Sequence, residues 1–247
     1  MIVRVARDIV RNLVRKILPS DKNFWKVYSP VIRILKDSFE HRRIRLLIDV
    51  IFEYNSRDVV LEEGCGKAVW LSEIQPKIRR AIGLDIDAGM IRGAMKQVPQ
   101  ASFVQANLNE GVPFKNGTFT KIGSILVLGY LNKPELAIAE QFRTLQPGGM
   151  IAVVTPKKGA KFFKVLAWEA RERKDNGTFI QNLRKLPLGI IAVLFGKIAE
   201  MKAVYGDWNF YELDELRAKY SKAGFEIVAV SSVYAEQAWL LIGRKPS

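Results

Sequence analysis

Apolar and polar positions along the chain fall into two rhythms. Between residues 57 and 156, short apolar runs alternate with segments of helical spacing. Such runs, bounded by turn residues, read as strands buried on both faces, as in a parallel sheet. The pattern predicts strands over Arg57–Glu62, Arg79–Asp85, Ala101–Gln105, Lys121–Leu128 and Met150–Thr155. It predicts helices over Ala68–Gln75, Asp87–Val98 and Lys133–Leu145, the last with Pro134 in its first turn, where a missing N–H does no harm. A helix over Tyr211–Lys222 and strands over Phe225–Val230 and Ala238–Gly243 follow, the two strands closing the sheet edge as an antiparallel hairpin. Strand and helix in alternation make this an α/β fold.

The two remaining regions follow a different pattern. Apolar residues at 2, 3, 5, 6, 9, 10, 13, 14, 17 and 18 have helical spacing, with Arg4, Arg7, Arg11, Arg15 and Lys16 between them and Pro19 as the stop. A basic amphipathic helix of this kind suits a membrane interface, with packing on the core or on a partner, or an organelle-targeting presequence, as the alternatives. It is too short and too charged to span a bilayer. Its arginines interrupt the apolar centre that a cleaved secretory signal requires. Phe24 to Tyr54 reads as one broken or two consecutive helices, with Phe24, Trp25 and Tyr28 on the first. Lys157 to Trp208 is an insertion, basic and aromatic first, then apolar over Leu186–Gly196. That run falls short of the roughly 20 residues of a membrane span and suits a buried cap helix or an interfacial segment. The expected organisation is an amphipathic helix over 1–20 and one domain over 21–247, with its cap at about 157–210.

Charge sharpens this picture. The chain of 247 residues has a formal net charge of +14. Residues 1–50 hold twelve Lys/Arg against five Asp/Glu, and residues 157–185 hold nine against three, so nearly all the excess lies in these two segments. Concentrated basic regions imply an anionic partner surface, phospholipid or nucleic acid. The single cysteine, Cys65, excludes an internal disulfide and fits a reducing compartment. The only histidine is His41, so a zinc-type Cys/His cluster is absent and no metal is expected.

The chemistry centres on Val59-Val60-Leu61-Glu62-Glu63-Gly64-Cys65-Gly66-Lys67-Ala68. Strand, glycine turn and helix in this order open a nucleotide-binding α/β unit, the glycines allowing close backbone approach to a ligand. About twenty residues on, the next apolar strand ends in Asp85, placed to accept hydrogen bonds from two ribose hydroxyls. The pair points to an adenosine-type ligand.

These residues resemble the class I S-adenosylmethionine-dependent methyltransferases, whose first strand and turn read like Val60 to Ala68 here. The resemblance extends to Pro113-Phe114-Lys115-Asn116-Gly117-Thr118-Phe119, to Leu145-Gln146-Pro147-Gly148-Gly149 and to Ala223-Gly224-Phe225. The pattern is most similar to the branch that includes ubiquinone and menaquinone C-methyltransferases, the methyltransferase type 11 branch. The resemblance implies a Rossmann-like seven-stranded sheet in the order 3-2-1-4-5-7-6. It implies S-adenosyl-L-methionine as cofactor, held by Glu62, Gly64, Cys65, Gly66, Asp85, Ile86, Met90, Asn107, Leu108 and Val127. Departures from the family pattern are Ala68 at the third glycine, Asn107 where an acid is usual, and Lys121 where strand four usually opens with Phe-Asp.

The basic helix and apolar cap lead to an expected lipophilic, membrane-associated acceptor, an isoprenoid quinone precursor or other lipid. The protein is then expected in the cytoplasm, peripheral on the membrane surface. Nucleic acid or protein acceptors, and a catalytically weak binding protein, are the alternatives. The sequence ranks no catalytic base; His41, Tyr130, Tyr205 and Asp207 are the candidates, because an oxygen or carbon acceptor must lose a proton.

Overall fold

The computed structural model describes residues 38–175, 198, 200–203 and 208–247. The expected amphipathic helix over 2–18, the aromatics Phe24, Trp25 and Tyr28, the apolar run at 186–196, and Tyr205 and Asp207 lie outside the described residues. The described elements are α1 (Phe39–Phe52), β1 (Val59–Glu63), α2 (Val69–Ile74), β2 (Arg80–Asp85), α3 (Ala88–Gln97), β3 (Ser102–Gln105), β4 (Phe119–Ile125), α4 (Pro134–Thr144), β5 (Leu145–Pro156), α5 (Phe162–Asp175), α6 (Leu213–Lys222), β6 (Glu226–Val233) and β7 (Ala238–Arg244).

The strands form one sheet in the order β3-β2-β1-β4-β5-β7-β6, as expected. β3, β2, β1, β4 and β5 pair in parallel; β7 runs antiparallel to both β5 and β6. Side chains alternate between the two faces of each strand. On one face Val60, Ala152, Val154, Leu240 and Ile242 pack against Ile44, Ile48 and Phe52 of α1 and Trp70, Leu71 and Ile74 of α2. On the other, Leu61, Ile122, Ile151, Val153 and Leu241 meet Ala137 and Ile138 of α4 and Leu216 and Tyr220 of α6. Trp70 anchors the first face. Its ring occupies the space a Cβ at Gly123 would fill, and its Nε1 donates to Asp49 Oδ1 of α1 at 2.9 Å.

Two boundaries differ from expectation in ways that shape the site. β4 ends at Ile125, short of Leu128. Leu126 takes φ +56°, a left-handed conformation that breaks the extended run, and Leu128–Tyr130 close a 3-10 turn. β6 continues past Val230 to Val233, so the hairpin turn that follows sits at the same end of the sheet as the carboxyl ends of the parallel strands. Lys121 has a local explanation. It lies early in β4, toward the opposite end of the sheet, with its Nζ 5.7 Å from the centroid of the Phe52 ring.

Candidate functional site

The sheet reverses direction of construction between β1 and β4: β2 and β3 build outward on one side, β5, β7 and β6 on the other. Ligands of open α/β sheets sit outside the carboxyl ends at such a point. The chain leaving β1 there turns through Gly64 (φ +61°), Gly66 (φ +56°) and Ala68 (φ +58°). The turn is pinned by Cys65 N–H to the Leu84 carbonyl at 3.0 Å and Ala68 N–H to the Cys65 carbonyl at 2.8 Å. A Cβ on Gly64 would run into the Val127 side chain, so glycine is what lets the end of β4 close over the turn. Ala68 holds the same left-handed conformation without glycine's freedom, at a cost of about 1 kcal/mol. Cys65 is fully buried, its sulfur tucked against Gly83 of β2.

Asp85 ends β2 directly across from this turn. Its Oδ2 accepts the Gly66 N–H at 2.8 Å and its Oδ1 the Asp87 N–H at 2.9 Å. A carboxylate offers about four lone-pair positions, so each oxygen keeps capacity for a further donor such as a ribose hydroxyl. The residues present therefore fit an adenosine-type ligand: a cradle closed to any Cβ at Gly64 and a carboxylate with acceptor capacity beside it. Asp87 caps α3, accepting the Met90 N–H at 2.8 Å, and so sets where Met90 lies. Ile86 is exposed at the rim, its carbonyl accepting from Gln105 Nε2 at 3.1 Å. Leu108 is buried in the core below. Asn107 shapes its own loop. Its Oδ1 accepts from the Asn109 N–H and side-chain amide at 3.1 and 3.2 Å, and its Nδ2 donates to Glu110 at 2.7 Å.

The two glutamates that end β1 separate onto opposite faces. Glu62 is buried on the α1–α2 side. Glu63 points toward α4 and α6, where Gln141 Nε2 donates to its Oε2 at 2.6 Å and the Tyr220 hydroxyl donates to Gln141 Oε1 at 2.9 Å. Burial pushes the Glu63 carboxyl up to about 7, against the opposing pull of Gln141 and Ser124.

Beyond β4 lies a second group of side chains. The Tyr130 ring packs edge-on against Trp208 at 4.5 Å and against Phe210 at 6.3 Å between centroids. Asn209, between those two, stitches the end of the insertion to the post-β4 turn. Its N–H donates to the Gly129 carbonyl and its Nδ2 to the Leu131 carbonyl, both at 2.7 Å. His41, in the first turn of α1, is buried, and its Nδ1 shares a hydrogen bond with the Tyr234 hydroxyl. Tyr234 begins the β6–β7 turn and lies within electrostatic reach of Tyr130. Of the four catalytic candidates, the structure thus brings His41 and Tyr130 around a residue that sequence reasoning missed. Nothing marked Tyr234: the turn Tyr234-Ala235-Glu236-Gln237 contains no glycine, proline or asparagine. Among the described residues no group of three or more His, Cys, Asp and Glu is arranged to hold a metal ion, and no helix is long and apolar enough to cross a membrane.

Residues 61–153 match the family model described as a methyltransferase domain. The chain is 31% identical over 99 residues to a probable S-adenosylmethionine-dependent methyltransferase of Mycolicibacterium smegmatis, a match spanning 40% of this chain and 38% of that protein. It is 26% identical over 224 residues to the demethylmenaquinone methyltransferase of Staphylococcus carnosus, covering 84% of this chain and 85% of that one. Among solved structures, a chain of the complex between a Haloferax volcanii methyltransferase activator and its putative methyltransferase superposes with a TM-score of 0.66 at 15% identity, over 93% of this chain and 100% of that one. Geranyl diphosphate C-methyltransferase from Streptomyces coelicolor does so with a TM-score of 0.60 at 11% identity, over 83% and 79%. These two likenesses establish the fold. The sequence matches show that residues 61–153 are similar to methyltransferase domains, and the glycine turn, Asp85 across from it and the strand order agree with the resemblance to the class I S-adenosylmethionine-dependent methyltransferases of the type 11 branch.

Proposed function

We propose that the chain transfers a methyl group from S-adenosylmethionine to a lipophilic acceptor of the isoprenoid-quinone or lipid class, working at an anionic membrane surface. The observation that carries the methyl-donor half is the Gly64–Gly66 turn closed by Val127 and tied to Asp85 through the 2.8 Å Gly66 bond. Glu62, Gly64, Cys65, Gly66, Asp85, Ile86, Met90, Asn107, Leu108 and Val127 would hold S-adenosylmethionine, which supplies a methyl carbon activated on a sulfonium. Asp85 takes the ribose, Val127 borders the glycine turn at the end of β4, and the protein contributes chiefly by fixing donor and acceptor in line. The acceptor half is supported by the aromatic wall of Tyr130, Trp208 and Phe210 beyond β4. The relative matched over most of both chains, which acts on demethylmenaquinone by its name, agrees with it. The basic amphipathic pattern of residues 2–18 and the basic segment 157–185 supply the attraction to anionic lipid.

Calorimetry with S-adenosylmethionine tests the donor: a saturable heat is expected, and its absence would leave a fold without the chemistry. Flotation with phosphatidylglycerol vesicles tests the surface, with the full chain floating and a chain lacking residues 1–18 staying behind. Transfer of tritiated methyl to demethylmenaquinol in those vesicles, compared with trans-aconitate in solution, tests the acceptor. Labelling of the soluble acid alone would reassign it.

A further inference from the structure

Resting on the methyl-transfer reading, we propose that Tyr234 and His41 act as a proton-accepting pair for the acceptor, with Tyr234 the catalytic residue that faces it and His41 the positioning residue that takes the proton on. The pair is assembled from opposite ends of the described chain. His41 comes from the first turn of α1, set by Ser38, whose side chain accepts the His41 N–H at 3.1 Å. Tyr234 comes from the β6–β7 turn, which the register of β5, β7 and β6 brings to the carboxyl end of the parallel strands: Ala238 pairs with both Pro156 and Val233 there. The same turn reaches the start of the insertion through Lys157 N–H to the Gln237 carbonyl at 3.0 Å. Tyr130, on the turn after β4, lies within electrostatic reach of the Tyr234 hydroxyl.

The backbone that presents Tyr234 is strained. Tyr234, Ala235 and Glu236 hold φ of +54°, +50° and +65°, three successive residues with side chains in the left-handed region. Each such conformation is strained for a residue with a Cβ, and it persists only where the surroundings over-determine it. They do so here. The Ala235 N–H donates to Glu40 Oε1 at 3.0 Å, locking the turn to α1 one residue from His41, and the Gln237 N–H returns to the Tyr234 carbonyl at 3.0 Å. A hairpin held in this shape against α1 aims one hydroxyl at one imidazole.

The surroundings decide how such a pair works. Around Tyr234 stand Arg45 and Glu40 from α1, Glu169 from α5 and Tyr130 from the post-β4 turn. Arg45 is forked onto Glu73 at 2.8 and 2.9 Å, and Glu169 accepts the Phe39 N–H at 3.1 and 3.2 Å. Burial, with Tyr130, Glu40 and Glu169 adding to it against Arg45, holds the phenol well above its ordinary value. Tyr234 therefore rests as the neutral phenol, and it accepts a proton only while passing its own to a partner. In the step, the acceptor's hydroxyl or acidic C–H proton moves to Tyr234 Oη as the phenolic proton moves to His41 Nδ1, giving the imidazolium. The electron pair left on the acceptor forms the bond to the methyl carbon, the carbon–sulfur bond breaks, and sulfur keeps its pair. The imidazolium then returns its proton through Tyr234 to solvent.

The test uses the full chain with S-adenosylmethionine and, as probe, demethylmenaquinol in phosphatidylglycerol vesicles. Tyr234→Phe keeps the ring and removes the relay; His41→Asn keeps an acceptor near Nδ1 and removes the proton store. Each is expected to lower kcat about 100-fold, as loss of a general base does, with S-adenosylmethionine affinity by calorimetry changed less than about twofold. The acid limb of the wild-type kcat profile is expected to disappear in His41→Asn. Full kcat in either variant would overturn the proposal, because a merely structural bond survives the asparagine. If the wild type binds S-adenosylmethionine but leaves the probe unmethylated, the acceptor class falls and the pair is decided by spectroscopy. His41 is the only imidazole, so its nitrogen-15 spectrum with S-adenosylhomocysteine at pH 7.5 is unambiguous. A bare Nδ1 that shifts in Tyr234→Phe supports the pair, and an Nδ1-protonated ring overturns it. If S-adenosylmethionine does not bind, the methyl-transfer reading and the pair's role fall together.

Discussion

The proposed donor half of the site and the proposed acceptor half are built by different means. At the donor half one short segment, Gly64 to Ala68, bends through three left-handed residues, two of them glycine, and meets one carboxylate on the adjacent strand. At the proposed acceptor half, among the described residues, four left-handed residues occur and none is glycine: Leu126, Tyr234, Ala235 and Glu236. Side chains there arrive from α1, the post-β4 turn, the end of the insertion and the β6–β7 turn. The donor half is a local backbone device; the acceptor half is a tertiary assembly that holds strain.

Substitutions separate the halves. The largest effect is expected at Gly64→Ala, where a Cβ meets Val127 in a left-handed conformation; S-adenosylmethionine affinity by calorimetry should fall more than about 100-fold. Asp85→Ala removes the acceptor for the Gly66 and Asp87 amides and the proposed acceptor for the ribose hydroxyls. A loss of about 10- to 100-fold in the same measurement is expected, since hydrogen bonds to a charged group are worth about 1.5–3 kcal/mol.

Glu63, buried at the end of β1 against Gln141, should respond to pH. Its folded value of about 7 stands above its ordinary 4.5, so the folded state keeps a proton that the unfolded chain releases. Stability is then full below pH 4.5, declines as pH rises to 7 and is flat beyond, a loss on the order of 3 kcal/mol. Glu63→Gln should match the wild type near pH 4 and exceed it at pH 8 in denaturant unfolding.

The smallest effect sharpens the contrast most. Ala235→Gly relieves one left-handed residue in the acceptor turn, and stability should rise by roughly 0.5–1 kcal/mol, read as a higher Tm. S-adenosylmethionine affinity should not move. A change in that affinity would show that the halves are coupled.

The donor half was legible because its information is local. Val59 to Ala68 and Ala81 to Asp85 carry strand, turn and carboxylate within thirty residues, and the structure places Asp85 2.8 Å from the Gly66 amide. Cys65, within the same turn, is buried. The end of β4 was misread because Ile125 to Leu128 is an unbroken apolar run, and no residue in it advertises the left-handed bend at Leu126. Tyr234 and Trp208 were invisible as site residues for the same reason: aromatic side chains at such positions carry no local signature of what they face. The bond between His41 and Tyr234 spans 193 positions.

The amino-acid order alone determined the alternation of buried strands and helices, the glycine turn and the carboxylate opposite it, since each rests on periodicity or on backbone freedom within a few residues. Tertiary structure decided which of two neighbouring glutamates faces which layer with which partners, and where the β6–β7 turn delivers Tyr234. Those outcomes depend on strand register and on packing between distant segments, and no short stretch of sequence contains them.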